Sequence, residues 1–126
     1  MGEGGTKTVV LVGHCRPDFF MLKLAVEGAA PGVRVEGVNS DDALASVDST
    51  PDLLLINRVL DGRFASERGL DLVERFTREG GPRTMLISNF DDAQRDAEAA
   101  GALPGFGKSD MRSDRAVSRL RSALGV

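Results

Sequence analysis

The chain has 126 residues, enough for one domain that buries its own core without disulfide or metal staples. Hydrophobic residues make up 41% and charged residues 28%, with a net charge of −3 and a pI near 5.1, so there is no basic footprint for nucleic acid. The single cysteine, Cys15, excludes an intramolecular disulfide and fits a reducing cytoplasm, and no apolar run is long enough to span a bilayer.

"MGEGGTK" has no hydrophobic segment behind it and is not a signal peptide. Residues 1–7 read as a flexible tail ahead of one domain over 8–126. "TVVLV" (8–12) is β-branched and apolar without alternation, the pattern of a parallel strand covered on both faces. Gly13 and His14 end it. Pro17 and Asp18 suit the first turn of a helix, and "DFFMLKLAVEGA" follows. Its spacing predicts a core-facing stripe of Phe20, Leu24 and Gly28, with Met21 and Ala25 beside it. "VRVEGV" (33–38) alternates and reads as a more exposed strand. Ser40 is placed to cap a short helix carrying Ala43, Leu44 and Val47.

"DLLLIN" (52–57) is a third, buried strand that delivers Asn57 to its end. A polar connection follows to Gly69, then a helix through Leu72, Val73 and Phe76, ended by Gly80 and Gly81. "RTMLIS" is a fourth strand closing on Ser88. Asn89 or Asp91 is expected to cap the next helix, whose inner face is mostly alanine. "LPGFGKSD" holds a weak fifth strand, since proline and glycine disfavour one locally. "DRAVSRLRSAL" closes the chain with Ala116, Val117, Leu120 and Leu124 inward and Arg115, Arg119 and Arg121 toward solvent.

Five alternating strand–helix units predict a three-layer α/β/α sandwich on a parallel sheet. Ligands of such sheets sit outside the carboxyl ends of the strands. That rule gathers Gly13, His14, Asn57, Ser88 and Lys108 at one rim.

Three segments there carry a resemblance that runs over residues 7–125. "PDLLLIN" has the Pro-Asp and apolar strand that lead to an acceptor position. "TMLIS" ends a strand in Ser. "AAGALPGFGKS" places a lysine seven residues after the glycine of an Ala-Gly-Ala segment. In order and spacing the chain resembles the receiver domains of bacterial two-component response regulators. The resemblance implies a flavodoxin-like (βα)5 fold with five parallel strands in the order 2-1-3-4-5. It also implies a site in which two acidic residues and a strand-end aspartate bind Mg²⁺, the aspartate takes a phosphoryl group, and a hydroxyl and a lysine contact it.

Carried over residue by residue, Ser88 and Lys108 match. Asn57 occupies the acceptor position, Gly13 and His14 the acidic-pair region, and Gly105 the aromatic switch position. Ser109 stands where the family commonly has a cis-proline. Mg²⁺ needs hard anionic oxygens in an octahedral array, and three of them are gone, so neither Mg²⁺ nor another cofactor is expected. An amide cannot form an acyl phosphate, so the site is read as a degenerate phosphorylation site without catalytic residues, and the chain as no enzyme. Without the usual carboxylates around Lys108 the rim should be neutral to positive, with one resting conformation.

His14–Cys15 is no metal pair, since no second Cys or His exists, and Cys15 lacks the surroundings of a nucleophile. The expectation is therefore an atypical, or pseudo-, receiver that signals by protein–protein contact. It would be a stand-alone adaptor or a module of a larger regulator or hybrid kinase, cytoplasmic, without nucleic-acid or membrane binding. Candidate contact residues are Phe64 in the 58–68 loop, read as an exposed aromatic, and Arg115 and Arg119 on the last helix. A homodimer through the last helices is a further expectation. Two alternatives stand beside this reading: a true receiver with a displaced acceptor such as Asp61, and a small-ligand-binding flavodoxin-like domain.

Overall fold

A computed structural model describes residues 6–47 and 50–126; most of the expected N-terminal tail lies outside the described residues. The elements alternate: β1 (Thr8–Val12), α1 (Arg16–Ala29), β2 (Arg34–Val38), α2 (Asp41–Ala45), β3 (Leu53–Asn57), α3 (Gly69–Glu79), β4 (Thr84–Ile87), α4 (Asp91–Ala99), β5 (Leu103–Phe106), a 3-10 turn (Lys108–Asp110) and α5 (Asp114–Leu124). All pairings are parallel, and the strand order is β2-β1-β3-β4-β5 as expected.

The unbroken apolar runs of the central strands fill both faces of the sheet. Val9, Leu11, Leu53, Leu55, Met85 and Ile87 point to one side, where α1 and α5 cover them. Val10, Val12, Leu54, Ile56 and Leu86 point to the other, under α2, α3 and α4. Alternate residues of a strand project to opposite faces, so a one-residue slip would exchange two complete core layers. Edge strand β2 is only partly buried, as its alternation predicts. Ser40 caps α2 by accepting a hydrogen bond from the Ala43 N–H at 2.9 Å, as expected.

Two expectations are corrected. First, α1 is turned away from the predicted face. Leu22, Val26 and Ala29 are buried, whereas Phe20, Met21 and Leu24 are 52, 44 and 60% exposed. The helix is apolar nearly all round, so spacing alone fits two stripes, and packing on the sheet selects the one containing Leu22 and Val26. Second, neither Asn89 nor Asp91 caps α4. The cap position is Phe90, without a side-chain bond, and the Asn89 carboxamide oxygen instead accepts from the backbone and the hydroxyl of Ser109 (3.1 and 2.9 Å). The arginines of α5 lie toward solvent as expected, Arg115 and Arg121 exposed and Arg119 half-buried, and two of them also reach backbone carbonyls. Arg119 donates to the Gly105 carbonyl, and Arg121 donates at 2.9 Å to the carbonyl of Ala29 at the end of α1. The last carbonyls of a helix and the outward carbonyls of an edge strand such as β5 lack ladder partners, and a guanidinium satisfies them.

The corrected face of α1 sets an expectation for stability. Leu22→Ala should cost about 2–5 kcal/mol by emptying a packed site, whereas Leu24→Ala should change stability by less than about 0.5 kcal/mol. Urea unfolding of both variants in dilute solution measures the difference.

Candidate functional site

The carboxyl ends of β3, β4 and β5 bring Asn57, Ser88 and Lys108 to one groove of about 240 Å³, which Arg58, Val59 and Phe90 also line. Gly13 and His14 are not among its lining residues. The reason lies in how β1 ends. Gly13 has φ +76°, a left-handed conformation that favours glycine, and a Cβ there would lie 2.7 Å from Leu60 Cδ2. The chain therefore turns sharply beneath the 58–68 loop and carries His14 into the interior.

His14 is 2% exposed. Its Nε2 donates to the Leu55 carbonyl at 3.0 Å, which assigns the proton to Nε2, and Nδ1 has no partner among the protein groups described. Burial pushes the imidazole pKa down to about 4. The bond to Leu55 opposes the shift, nearby Lys108 adds to it, and Asp18 works against it. At neutral pH the ring is an uncharged core group.

The Gly13 carbonyl collects two donors: Asn57 Nδ2 at 2.9 Å and the backbone N–H of Asp61 at 2.9 Å. Asn39 Nδ2 bridges the carbonyls of His14 and Asp61 at 2.9 and 3.0 Å. Loop 58–68 is thereby stitched across the ends of β1 and β2, with further backbone bonds between Arg63 and both Asn39 and Asp41. Leu60 is buried beneath it. Phe64, expected to be exposed, is half-buried against the core on the α3 side, because the loop folds back on the sheet. The exposed apolar side chains of this region are Val59 and Phe90 instead, with the Arg58 guanidinium 4.7 Å from the Phe90 ring centre.

Lys108 finds its carboxylate outside the acidic-pair and acceptor positions, on α1. Its Nζ lies 2.7 Å from Asp18 Oδ2 in the first turn of α1, and both side chains are about 70% covered. The Lys108 hydrogen bond holds Asp18 below the usual carboxylate range against the opposing effect of burial. Ser88 is buried, and its Oγ accepts from the Phe90 N–H at 3.1 Å.

Gly105, at the switch position, is packed tight. A Cβ there would meet the Leu86 carbonyl at 2.2 Å and Gln94 Oε1 at 2.9 Å. The β4–β5 register shifts between Met85 and Ile87, and Gln94 of α4 bridges the irregularity. Its Nε2 donates to Leu86 O at 2.9 Å and its Oε1 accepts from Gly105 N–H at 3.2 Å. The neighbouring Phe106 ring is buried on the opposite face, among the α1 and α5 contacts. Arg115 pairs with Asp110 at 2.6 Å, and Arg115 and Arg119 line a polar groove between α4 and α5. All peptide bonds of the described residues are trans, including that before Ser109.

The donor set does not suit Mg²⁺ at the rim. Asn57 turns its amide nitrogen to Gly13, position 13 has no side chain, and His14 is bonded inside the core. Among the described residues no group of three His, Cys, Asp or Glu is gathered as a metal site. Sequence reasoning missed Asn39, Leu60 and Gln94. Only Asn39, a polar residue at the end of β2, carried a signal, because strand ends of such sheets form the rim.

No family model matches the chain, and no curated protein does. Solved structures do. The chain is similar to a response regulator from Thermotoga maritima, at 23% identity and TM-score 0.73 over 96% of this chain and 99% of that one. It is similar to the N-terminal signal receiver domain of a two-component system response regulator from Bacteroides fragilis, at 19% and 0.73 over 95% and 98%. A third likeness is to the signal receiver domain of a DNA-binding response regulator from Colwellia psychrerythraea, at 16% and 0.68 over 97% and 100%. At such identities the likeness establishes the fold: this chain has the five-stranded flavodoxin-like architecture of receiver domains. Among the described residues, no helix is long and apolar enough to cross a membrane.

Two outcomes follow from the site. The unfolded chain protonates His14 near pH 6.5 and the folded chain only near 4, so the folded state binds fewer protons between these values. The contribution is complete above pH 6.5 and is lost as pH falls toward 4, by about 3 kcal/mol at most. His14→Gln, which keeps a donor for Leu55, should flatten the melting temperature against pH across that window. Asn57→Asp replaces a donor with a carboxylate facing the Gly13 carbonyl. It should destabilise the fold by about 1–3 kcal/mol in urea unfolding at neutral pH.

Proposed function

We propose that this chain is an atypical receiver domain. It acts in bacterial two-component signalling, in the cytoplasm, through protein–protein contact that is independent of phosphorylation at the acceptor position. The observation that carries this reading is the Asn57 amide spent on the Gly13 carbonyl, where the resemblance puts a phosphorylated aspartate. A carboxylate could not donate there, so the residue that removes acceptor chemistry is also the one that closes the rim. On this reading the domain is not an enzyme and recruits neither Mg²⁺ nor another cofactor. Its Asn57, Ser88 and Lys108 serve structure, and its partner is a kinase, regulator or output protein.

The partner surface fits the groove beside the rim. Val59 and Phe90 stand exposed there over a floor of Leu86, and the space is about 440 Å³. Arg58 and Arg68 line it together with Asp92 and Asp96, which suits a protein segment bearing both charges and apolar side chains. Exposed aromatic and arginine side chains are the residue types that most often carry binding energy.

A displaced acceptor is the reading to test against. Asp61 is exposed, and its backbone is fixed to the rim through Gly13. Incubation with acetyl phosphate or a phosphorylated histidine kinase in the presence of Mg²⁺, followed by intact-mass measurement, should give no phosphoryl adduct. A stoichiometric adduct lost in Asp61→Asn would establish the displaced acceptor and refute the proposal. Phe90→Ala should weaken partner capture about tenfold or more without altering the fold.

A further inference from the structure

The outer face of α1 has no role in the rim or in the core. Of the six large hydrophobic side chains exposed among the described residues, three (Phe20, Met21 and Leu24) lie on this one helix face, so their exposure is a patch and not scatter. The stripe continues one turn on to Gly28. That glycine is helical, and a Cβ built on it meets nothing within 4 Å. Glycine inside a helix is disfavoured relative to alanine, and here neither φ nor a close neighbour within the chain requires it. The notch leaves room for a side chain that approaches from outside.

The stripe is self-complementary. Phe20, Leu24 and Gly28 are spaced by four residues, with Leu24 at the midpoint. When two copies of α1 cross antiparallel about a two-fold axis at Leu24, each Phe20 ring meets the notch over the other's Gly28, and the two Leu24 side chains meet at the axis. Such an isologous contact matches residue i with j and j with i. The charges agree. Lys23 and Glu27 share one flank of the stripe, and antiparallel crossing sets Lys23 of each copy beside Glu27 of the other. By contrast, the exposed positions of α5 are polar: Asp114, Arg115, Ser118, Arg121 and Ser122.

We infer that α1 is a self-association surface, and that its occupant is the α1 face of a second copy of this chain. The contact uses one helix face per copy, smaller than the roughly 800 Å² per partner of a standard stable interface. The dimer is therefore weak and concentration-dependent. It is separate from the rim and leaves the Val59–Phe90 groove open to a signalling partner.

Sedimentation equilibrium over a wide concentration range tests it. The wild-type chain should move from 13.4 kDa toward twice that mass as concentration rises. Leu24→Glu sets two like charges at the axis and should raise the dissociation constant about tenfold or more, with circular dichroism verifying the fold. Lys23→Glu and Glu27→Lys should each weaken association alone, and an equimolar mixture of the two should recover it as a heterodimer. Intrahelical effects cannot produce that recovery, so this arm decides the matter even if Leu24→Glu does not fold. A wild-type chain that stays monomeric at millimolar concentration overturns the inference. So does a dimer insensitive to Leu24→Glu, or a charge-variant mixture that associates no better than its components. An α1 face reserved for another protein would give the first of these results.

Discussion

The carbonyl of Gly13 is the point on which the rim depends. In a parallel sheet the last carbonyl of a central strand has no further ladder partner, and a buried carbonyl without one is costly. Here it receives two donors, one from the end of β3 and one from the loop beyond it. The loop can reach because Gly13 adopts a left-handed turn and leaves room for Leu60. Leu60 then buries itself beside that turn, and Asn39 ties the same loop to the end of β2. Each contact presupposes the others, so the rim is closed as a unit.

Charge at the rim follows the same economy. Lys108 is anchored by Asp18 from the neighbouring helix, so the lysine is neutralised without crowding carboxylates against one another. Repulsion among several acids is what makes a site respond to a cation or a phosphoryl group, because the ligand relieves it. One ion pair and one neutral, buried imidazole store no such repulsion. On the function proposed here, this is why a single resting arrangement suffices, and why Gln94 can hold α4 fixed against the β4–β5 irregularity.

Much of the fold was legible because parallel strands buried on both faces have few alternatives. "TVVLV", "DLLLIN" and "TMLI" stand between turn signals, and the rule for strand ends gathers Asn57, Ser88 and Lys108, which line one groove. The face of α1 was not legible. Phe20, Leu24 and Gly28 obey the same period as Leu22, Val26 and Ala29, and only tertiary packing distinguishes them. The backbone partners of the α5 arginines were not legible for a related reason. Sequence marks a guanidinium as polar, but not which unpaired carbonyl lies within its reach. Sequence marks Asp18 as a first-turn carboxylate, while its link to Lys108, ninety residues away, exists only once α1 packs beside the end of β5. Phe64 reads as exposed from sequence, but the loop that carries it folds onto the core and half-buries it, while Phe90, at the start of α4, stands exposed.

On the function proposed here, a rim that takes no ligand changes where information can enter the molecule. If the strand ends neither gain nor lose a ligand, the interior has no two-state element for a distant surface to read, and coupling through the core loses its source. What varies is then occupancy of surfaces. Among the described residues, two apolar sites are left uncovered by the fold: Val59 with Phe90 beside the rim, and Phe20 with Met21 and Leu24 on α1. They lie on different elements, α1 covering one face of the sheet and the Val59–Phe90 groove opening beside α3 and α4 on the other. Two copies joined through α1 would present two rim grooves at a fixed separation, so a partner with two matching segments would bind the second at high effective concentration. In such an arrangement a rise in the amount of protein alone changes what is bound, without any covalent change at Asn57.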